Sequence, residues 1–176
     1  MCDLLDIQNW EVSETCEFLK RNVDEVYYRN FKNKRIDGLT LALLPWDDYS
    51  NFIPDEKKGR KVQIDRVEER RKIFWAVDAK VKEYVKKILS LPIKSWGVID
   101  VCLYARSINE ERMLEYCRNN KIDGILLLKM SDQDMGSNFM LCDSVKRLQF
   151  STFFMKMRQR DSQQDNKIEA PPSYEK

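Results

Sequence analysis

The chain has 176 residues, of which 31 are Lys or Arg, 29 are Asp or Glu and none is His, so its formal net charge is +2. This balance argues against a dedicated nucleic-acid binder, because affinity for phosphate usually comes with a large basic excess. The lack of histidine excludes Cys/His zinc sites and Ser/His/Asp or Cys/His catalytic sites, so we expect a non-enzymatic protein with no cofactor and no metal.

The N-terminal residues bear on the cellular compartment. The chain opens Met-Cys-Asp-Leu-Leu-Asp, which is acidic where a secretory signal would be basic. No stretch approaches the ~18 consecutive apolar residues of a membrane-spanning helix. We therefore expect an intracellular protein without membrane insertion, cytoplasmic with a nuclear location as the open alternative, whose five cysteines stay reduced.

A module that occurs twice organises the rest of the chain. The tripeptide Ile36-Asp37-Gly38 returns 86 residues later as Ile122-Asp123-Gly124. Further identical pairs keep the same distance without a gap: Trp10 and Trp96, Cys16 and Cys102, Leu41 and Leu127, Asp48 and Asp134, Gln63 and Gln149. Because chance matches would not hold one register over this length, the sequence predicts an internal duplication of about 65 residues.

The first copy predicts a series of short helices. Apolar residues at helical spacing indicate a first helix over residues 12–20. Asn22, with Glu25 three residues later, favours an N-cap that opens a second helix. Asp37 would cap a short third helix through its carboxylate, while Gly38 permits the close approach of a neighbouring backbone.

A fourth helix is predicted over residues 46–52, after Pro45. The second copy has Ser131 and Asp134 at this point, a Ser-x-x-Asp capping box that also starts a helix. A longer helical pattern then runs past the end of the first module, and its apolar stripe must be covered by a module or by a partner. Near the C terminus, residues 160–176 are rich in Gln, Asp and Ser and predict a disordered tail.

The order of these features resembles the sterile alpha motif (SAM) domain. The two stretches that carry the resemblance begin Trp10-Glu11-Val12 and Ile36-Asp37-Gly38, and both recur in the second copy. The resemblance implies an all-α fold of two five-helix SAM-like bundles. It divides the chain into a first SAM-like domain, a helical linker, a second SAM-like domain and the tail, at residues 8–72, 73–93, 94–159 and 160–176.

The resemblance also implies a way of associating, in which an acidic mid-loop surface of one SAM domain meets a basic surface at the start of helix five of another. The basic residues that match are Lys57, Lys58, Arg60 and Lys61, and the acidic ones are Asp132 and Asp134. Cations are unfavourable at a helix N-terminus, so the basic cluster needs another reason to be there. The alternative is that both clusters are solvated faces of a highly charged protein.

The tail carries a second candidate site. Pro171, Pro172 and Tyr174 fit Pro-Pro-x-Tyr, the ligand pattern of WW domains, which bind polyproline II segments in an aromatic groove. The alternative is a tail without a binding role, in which Tyr174 serves as a phosphorylation site.

These features together predict an adaptor or scaffold that associates with itself or with other SAM-domain proteins and recruits a WW-domain partner. The rival hypothesis is RNA binding, which some SAM domains perform with a basic surface around helix five. Arg66 and Arg70 would extend the basic cluster for that purpose. The interleaved acids count against it because they would also face the phosphates, and they are Asp65, Glu68 and Glu69.

Overall fold

The computed structural model describes residues 6–22, 25–46, 48–49 and 60–131, and then 133–134, 137, 148, 151–152, 154–155, 158–159 and 161–162, without the side chains of 25–27 and 60–66. Every regular element within these residues is helical. The predicted all-α class is therefore confirmed for this part of the chain. Clustering of the backbone divides the protein into two compact units, Met1–Lys86 and Lys87–Lys176.

The first unit begins with a short 3-10 helix at Ile7–Asn9 and continues with α1, α2, α3 and α4. Their bounds are Val12–Asn22, Glu25–Asn33, Gly38–Ala42 and Arg60–Ile88. One prediction about these helices is wrong. Asn22 does not open α2, because it is the last residue of α1 and its side-chain amide donates to the carbonyl oxygen of Phe18 at 2.7 Å.

The second unit repeats this order with a 3-10 helix at Ile93–Ser95, followed by α5, α6 and α7. Their bounds are Val98–Ser107, Glu111–Asn119 and Gly124–Lys129. Each of these elements begins 86 residues after its counterpart in the first unit. The turn before the Ile-Asp-Gly motif matches as well, since Arg35 and Lys121 take the left-handed conformation with φ of 54° and 53°.

α4 is one helix of 29 residues that runs through the predicted boundary between residues 72 and 73. Its apolar stripe is covered within the protein, because Ile73, Val77 and Val81 are fully buried. The predicted helical linker, residues 73–93, thus continues the preceding helix as far as Ile88, and the first compact unit extends to Lys86.

An aromatic cluster attaches α4 to the rest of the first unit. The ring of Phe74 packs edge-on against Trp46 and Tyr49, with distances of 5.3 and 6.0 Å between ring centroids. The centroid of the Tyr49 ring lies 6.4 Å from that of Phe31. Edge-to-face pairs of this kind contribute about 0.5–1.5 kcal/mol each beyond the area that they bury. Asp48 and Tyr49 form a helical turn within the predicted fourth helix, and residues 47 and 50–52 lie outside the described residues.

The gap-free register of the repeat does not extend into the last helical stretch of the second unit. At a distance of 86 residues, the buried Phe154 and Asp161 would match Glu68 and Trp75, which are both exposed. At a distance of 84 residues they match Arg70 and Val77, which are buried.

The second unit also extends beyond Gln159, where we placed the start of the tail. Asp161 and Ser162 are helical, and Asp161 is buried. The Asp161 carboxylate accepts hydrogen bonds from the backbone N–H groups of Ile93 at 3.1 Å and Lys94 at 3.2 Å. It thereby caps the 3-10 helix with which the unit begins.

Candidate interaction surface

The Ile-Asp-Gly motifs form the frame on which the candidate surfaces are built. The Asp37 carboxylate accepts from the N–H of Thr40 at 2.7 Å, and the Asp123 carboxylate accepts from the N–H of Leu126 at 2.8 Å. Both aspartates therefore cap the helix that follows, as the sequence predicts. Their oxygens serve the fold, so these residues are a poor choice as contacts for a partner.

The glycine of each motif allows the backbone to come close to the preceding 3-10 helix. Gly38 donates its N–H to the carbonyl oxygen of Trp10 at 3.0 Å, and a Cβ at this position would meet the carbonyl oxygen of Ile7. Gly124 stands in the same relation to Trp96 and Ile93. The predicted close approach is confirmed in both copies.

The predicted basic surface is only partly within the described residues. Arg60 and Lys61 are the first two residues of α4, which places two cations at a helix N-terminus. Lys57 and Lys58 lie outside the described residues. Arg70, which the RNA hypothesis adds to the cluster, is 9% exposed and therefore offers little of its side chain to a phosphate backbone.

The predicted acidic surface is represented by Asp134, because Asp132 lies outside the described residues. The carboxylate of Asp134 accepts from the backbone N–H of Ser131 at 3.0 Å and from its hydroxyl at 2.5 Å, while the Asp134 N–H donates to that hydroxyl at 3.1 Å. The predicted capping box is thus present. These bonds to Ser131 lower the pKa of the exposed Asp134 carboxyl, which keeps the group ionised at neutral pH.

Sequence reasoning missed two exposed apolar side chains on the helix that precedes this acid in the sequence. Ile125 and Leu126, at the start of α7, are 48% and 42% exposed. In the first copy the same positions hold Leu39, which is half-buried, and Thr40. Comparison of the two copies could have found Leu126, since an apolar residue replaces a polar one on a helix that follows an exposed cap.

The cysteines of the helical core offer no reactive site. Cys16 and Cys102 are buried at equivalent positions of α1 and α5, so both thiols belong to the core. Burial raises the pKa of Cys102 to about 11 and that of the buried Cys117 to about 12. Thiols with such pKa values carry almost no thiolate, the nucleophilic form, near neutral pH.

The remaining predicted site, Pro171, Pro172 and Tyr174, lies outside the described residues. Among the described residues, no helix is both long and apolar enough to cross a membrane. In the same part of the chain, no group of three or more acidic or cysteine side chains is placed to hold a metal ion.

Comparison of this chain with protein-family models, with curated proteins and with solved structures found no match in any of the three.

Proposed function

We propose that the protein is a non-enzymatic adaptor whose two SAM-like modules associate head to tail with other copies or with other SAM-domain proteins. The basic start of α4 in one molecule, with Lys57, Lys58, Arg60 and Lys61, would meet the acidic surface of Asp132 and Asp134 in another. In the same proposal the tail motif of Pro171, Pro172 and Tyr174 recruits a WW-domain partner.

The observation that carries this proposal is the combination of charge and apolar surface at the start of α7 and just after it. Ile125 and Leu126 are exposed on the same stretch that ends in the ionised Asp134. Apolar side chains are typical of the centre of a protein interface, and charged groups of its rim. The cations of Arg60 and Lys61 at the start of α4 provide a complementary charge, which would favour orientation and a fast encounter.

Mixing two association-defective variants tests the head-to-tail arrangement. One variant carries Lys58→Glu with Arg60→Glu, and the other carries Asp132→Lys with Leu126→Thr, the residue found at the matching position of the first copy. Each variant alone should give a smaller particle than the wild type in light scattering. An equimolar mixture should form a one-to-one complex, because each variant retains the surface that the other lacks.

The control is Lys32→Glu with Lys34→Glu, which makes the same charge change at exposed positions of the first unit. This variant should behave as the wild type does, and association of the wild type should weaken as salt is raised. The arrangement would be refuted if both association-defective variants, each measured alone, gave particles of wild-type size. Salt-steep binding of a labelled RNA hairpin that Lys58→Glu with Arg60→Glu abolishes would instead favour the RNA hypothesis.

A further inference from the structure

The solvent side of α4 carries a stripe of exposed residues that the head-to-tail proposal does not use. The stripe consists of Glu68, Lys72, Trp75, Ala79, Glu83 and Lys86, all of them exposed. They follow one another at intervals of three or four residues, so at about 100° per residue they lie in one sector of the helix. Trp75 is 63% exposed, an unusual position for the largest apolar side chain.

The order of residues along this α4 stripe is complementary to its own reverse. Read from the N-terminus it is acid, base, Trp, Ala, acid, base, and read backwards it is base, acid, Ala, Trp, base, acid. An antiparallel copy centred at the level of Val77 would therefore set Glu68 against Lys86 and Trp75 against Ala79. In this register Lys72 lies level with Lys82 and about 1.5 Å, the rise of one residue, from the level of Glu83.

We propose that the α4 stripe is a homodimer interface, in which a second copy of this chain packs its own stripe antiparallel across a two-fold axis. A two-fold interface requires that residue i contacts residue j while j contacts i. Glu68 with Lys86 and Trp75 with Ala79 meet this condition about one centre, and Lys72 with Glu83 meets it to within one residue. A parallel pairing would place every residue against its own copy, with Glu68 facing Glu68 and Trp75 facing Trp75. Like charges would then oppose one another along the helix, so the charge pattern selects the antiparallel arrangement.

The size of the residues supports the same register. Ala79 is small enough to let two helix backbones approach closely, and the indole of Trp75 from the other copy would fill the space above it. Large residues that pack into the gap left by small ones are the usual basis of helix–helix contact. Trp is also among the residues that contribute most to binding energy when they become buried at the centre of an interface.

The charges that flank the stripe are compatible with the pairing. Arg71 and Lys82 would approach each other at its edge, but each already has a carboxylate beside it. Arg71 lies 2.7 Å from Glu68, and Lys82 lies 2.8 Å from Asp78. Arg71 would share Glu68 with Lys86 of the other copy, whereas Lys82 keeps Asp78, and both carboxylates reduce the repulsion between the two cations across the dimer.

The strength of the dimer follows from the size of the contact. Residues 68 to 86 span about 27 Å of helix, and one pair of helices of this length buries an area near the lower limit of specific interfaces, about 1,000 Å². The exposed ion pairs add little once salt is present. We therefore expect a weak dimer that forms with rising protein concentration, and whose affinity depends chiefly on Trp75.

A charge exchange tests the register with the full-length chain. Glu68→Lys alone and Lys86→Glu alone should each weaken dimerisation in sedimentation equilibrium, and the double variant should restore it. Positions 68 and 86 lie too far apart on one helix to interact within a molecule, so recovery in the double variant can only come from the partner chain. Glu115→Lys and Lys32→Glu are the charge-matched controls at exposed sites elsewhere, and neither should change the dimer.

Removal of the tryptophan tests the centre of the interface. Trp75→Ala should raise the Kd of the dimer about tenfold or more, without changing the helical circular dichroism of the protein. An unchanged Kd in Trp75→Ala, or single charge variants that dimerise as the wild type does, would overturn the proposal. So would a wild-type protein that stays monomeric at all concentrations and binds vesicles of anionic lipid through this stripe.

The dimer does not rest on the head-to-tail contact, and the two can be told apart. Lys58→Glu with Arg60→Glu should leave the Kd of the α4 dimer unchanged while it reduces larger assemblies. Loss of the dimer in that variant would contradict the assignment of the dimer to the α4 stripe.

Discussion

The backbone N–H of Gly124 donates to the carbonyl oxygen of Trp96 at 2.8 Å. This bond holds the start of α7 so close to the second 3-10 helix that a Cβ at Gly124 would overlap the carbonyl oxygen of Ile93. The clash is with backbone, which cannot rotate away as a side chain can. We expect Gly124→Ala to reduce the free energy of unfolding by about 3 kcal/mol or more, measured by urea denaturation.

Gly97 provides the matched control for this substitution. A Cβ there would meet only the carboxylate of Asp100, at 3.6 Å, which is an ordinary van der Waals distance. Gly97 also has a φ of −75°, which every residue can adopt. Gly97 is the N-cap of α5, where alanine is less favourable than glycine. Gly97→Ala should therefore cost no more than about 1 kcal/mol, and equal effects of the two substitutions would contradict the steric explanation.

A second prediction concerns Asp161, which caps the 3-10 helix at Ile93–Ser95 from a distant part of the sequence. Asp161→Ala would leave two backbone N–H groups without their acceptor, one of them in a buried contact. We expect a loss of about 1–3 kcal/mol in the free energy of unfolding. Ser162→Ala, at the exposed neighbouring residue, is the control and should have little effect. A wild-type urea midpoint for Asp161→Ala would show that the cap contributes nothing to stability.

The parts of the fold that sequence reasoning predicted are those fixed by local chemistry. The caps of Asp37 and Asp123 and the close approach of the two glycines follow from short motifs that need only their neighbours in sequence. The partner of Asp161 could not be predicted in this way, because its hydrogen bonds join residues 67 and 68 positions apart. The polar composition of residues 160–176 instead predicts that Asp161 lies in a disordered tail.

The α4 stripe was missed for a different reason. The periodicity of apolar residues identifies the buried side of a helix. It carries no information about the order of residues on the solvent side. Trp75 does not fit the buried pattern of Ile73 and Val77, so periodicity alone gives it no place in the core. Only the exposure of each residue in the structure reveals that the charges around Trp75 have an order of their own.

A third prediction concerns stability at alkaline pH. Burial raises the pKa of Cys102 from 9.0 to about 11 and that of Cys117 from 9.0 to about 12. The unfolded chain therefore loses these protons first as the pH rises. The stabilisation is complete below pH 9 and is lost as the pH rises from 9 through the pKa values of the folded state, by on the order of 2 kcal/mol for a shift of two units.

Urea unfolding at a series of pH values from 8 to 11 measures this loss. Cys102→Ala should unfold more easily at pH 8 because it leaves a small cavity, but its stability should fall less steeply with pH than that of the wild type. Cys16→Ala is the comparison, since Lys32 and Lys20 oppose the effect of burial on the pKa of that thiol. A wild-type stability that is constant from pH 9 to 11 would contradict the prediction.

The last prediction concerns the capping box of Ser131 and Asp134 at low pH. The hydrogen bonds from Ser131 lower the pKa of the Asp134 carboxyl below its ordinary value of 3.8. The unfolded chain therefore takes up this proton first as the pH falls. The contribution of the box to stability is complete above that ordinary value and is lost as the pH falls through the lower pKa of the folded state.

Comparing the urea midpoints at pH 7 and pH 3 for the wild type and two variants isolates this contribution. Asp134→Asn should lower the midpoint at pH 7, yet lose less of it on acidification than the wild type, because the titrating group is gone. Ser131→Ala should act in the same direction, since it removes the hydroxyl bond that is the largest cause of the shift. Glu115→Gln, at an exposed carboxylate of α6, is the control. An equal fall of the urea midpoint between pH 7 and pH 3 in all four proteins would contradict the prediction. The Asp134 carboxylate would then not be held by the capping box in solution and could serve the acidic surface alone.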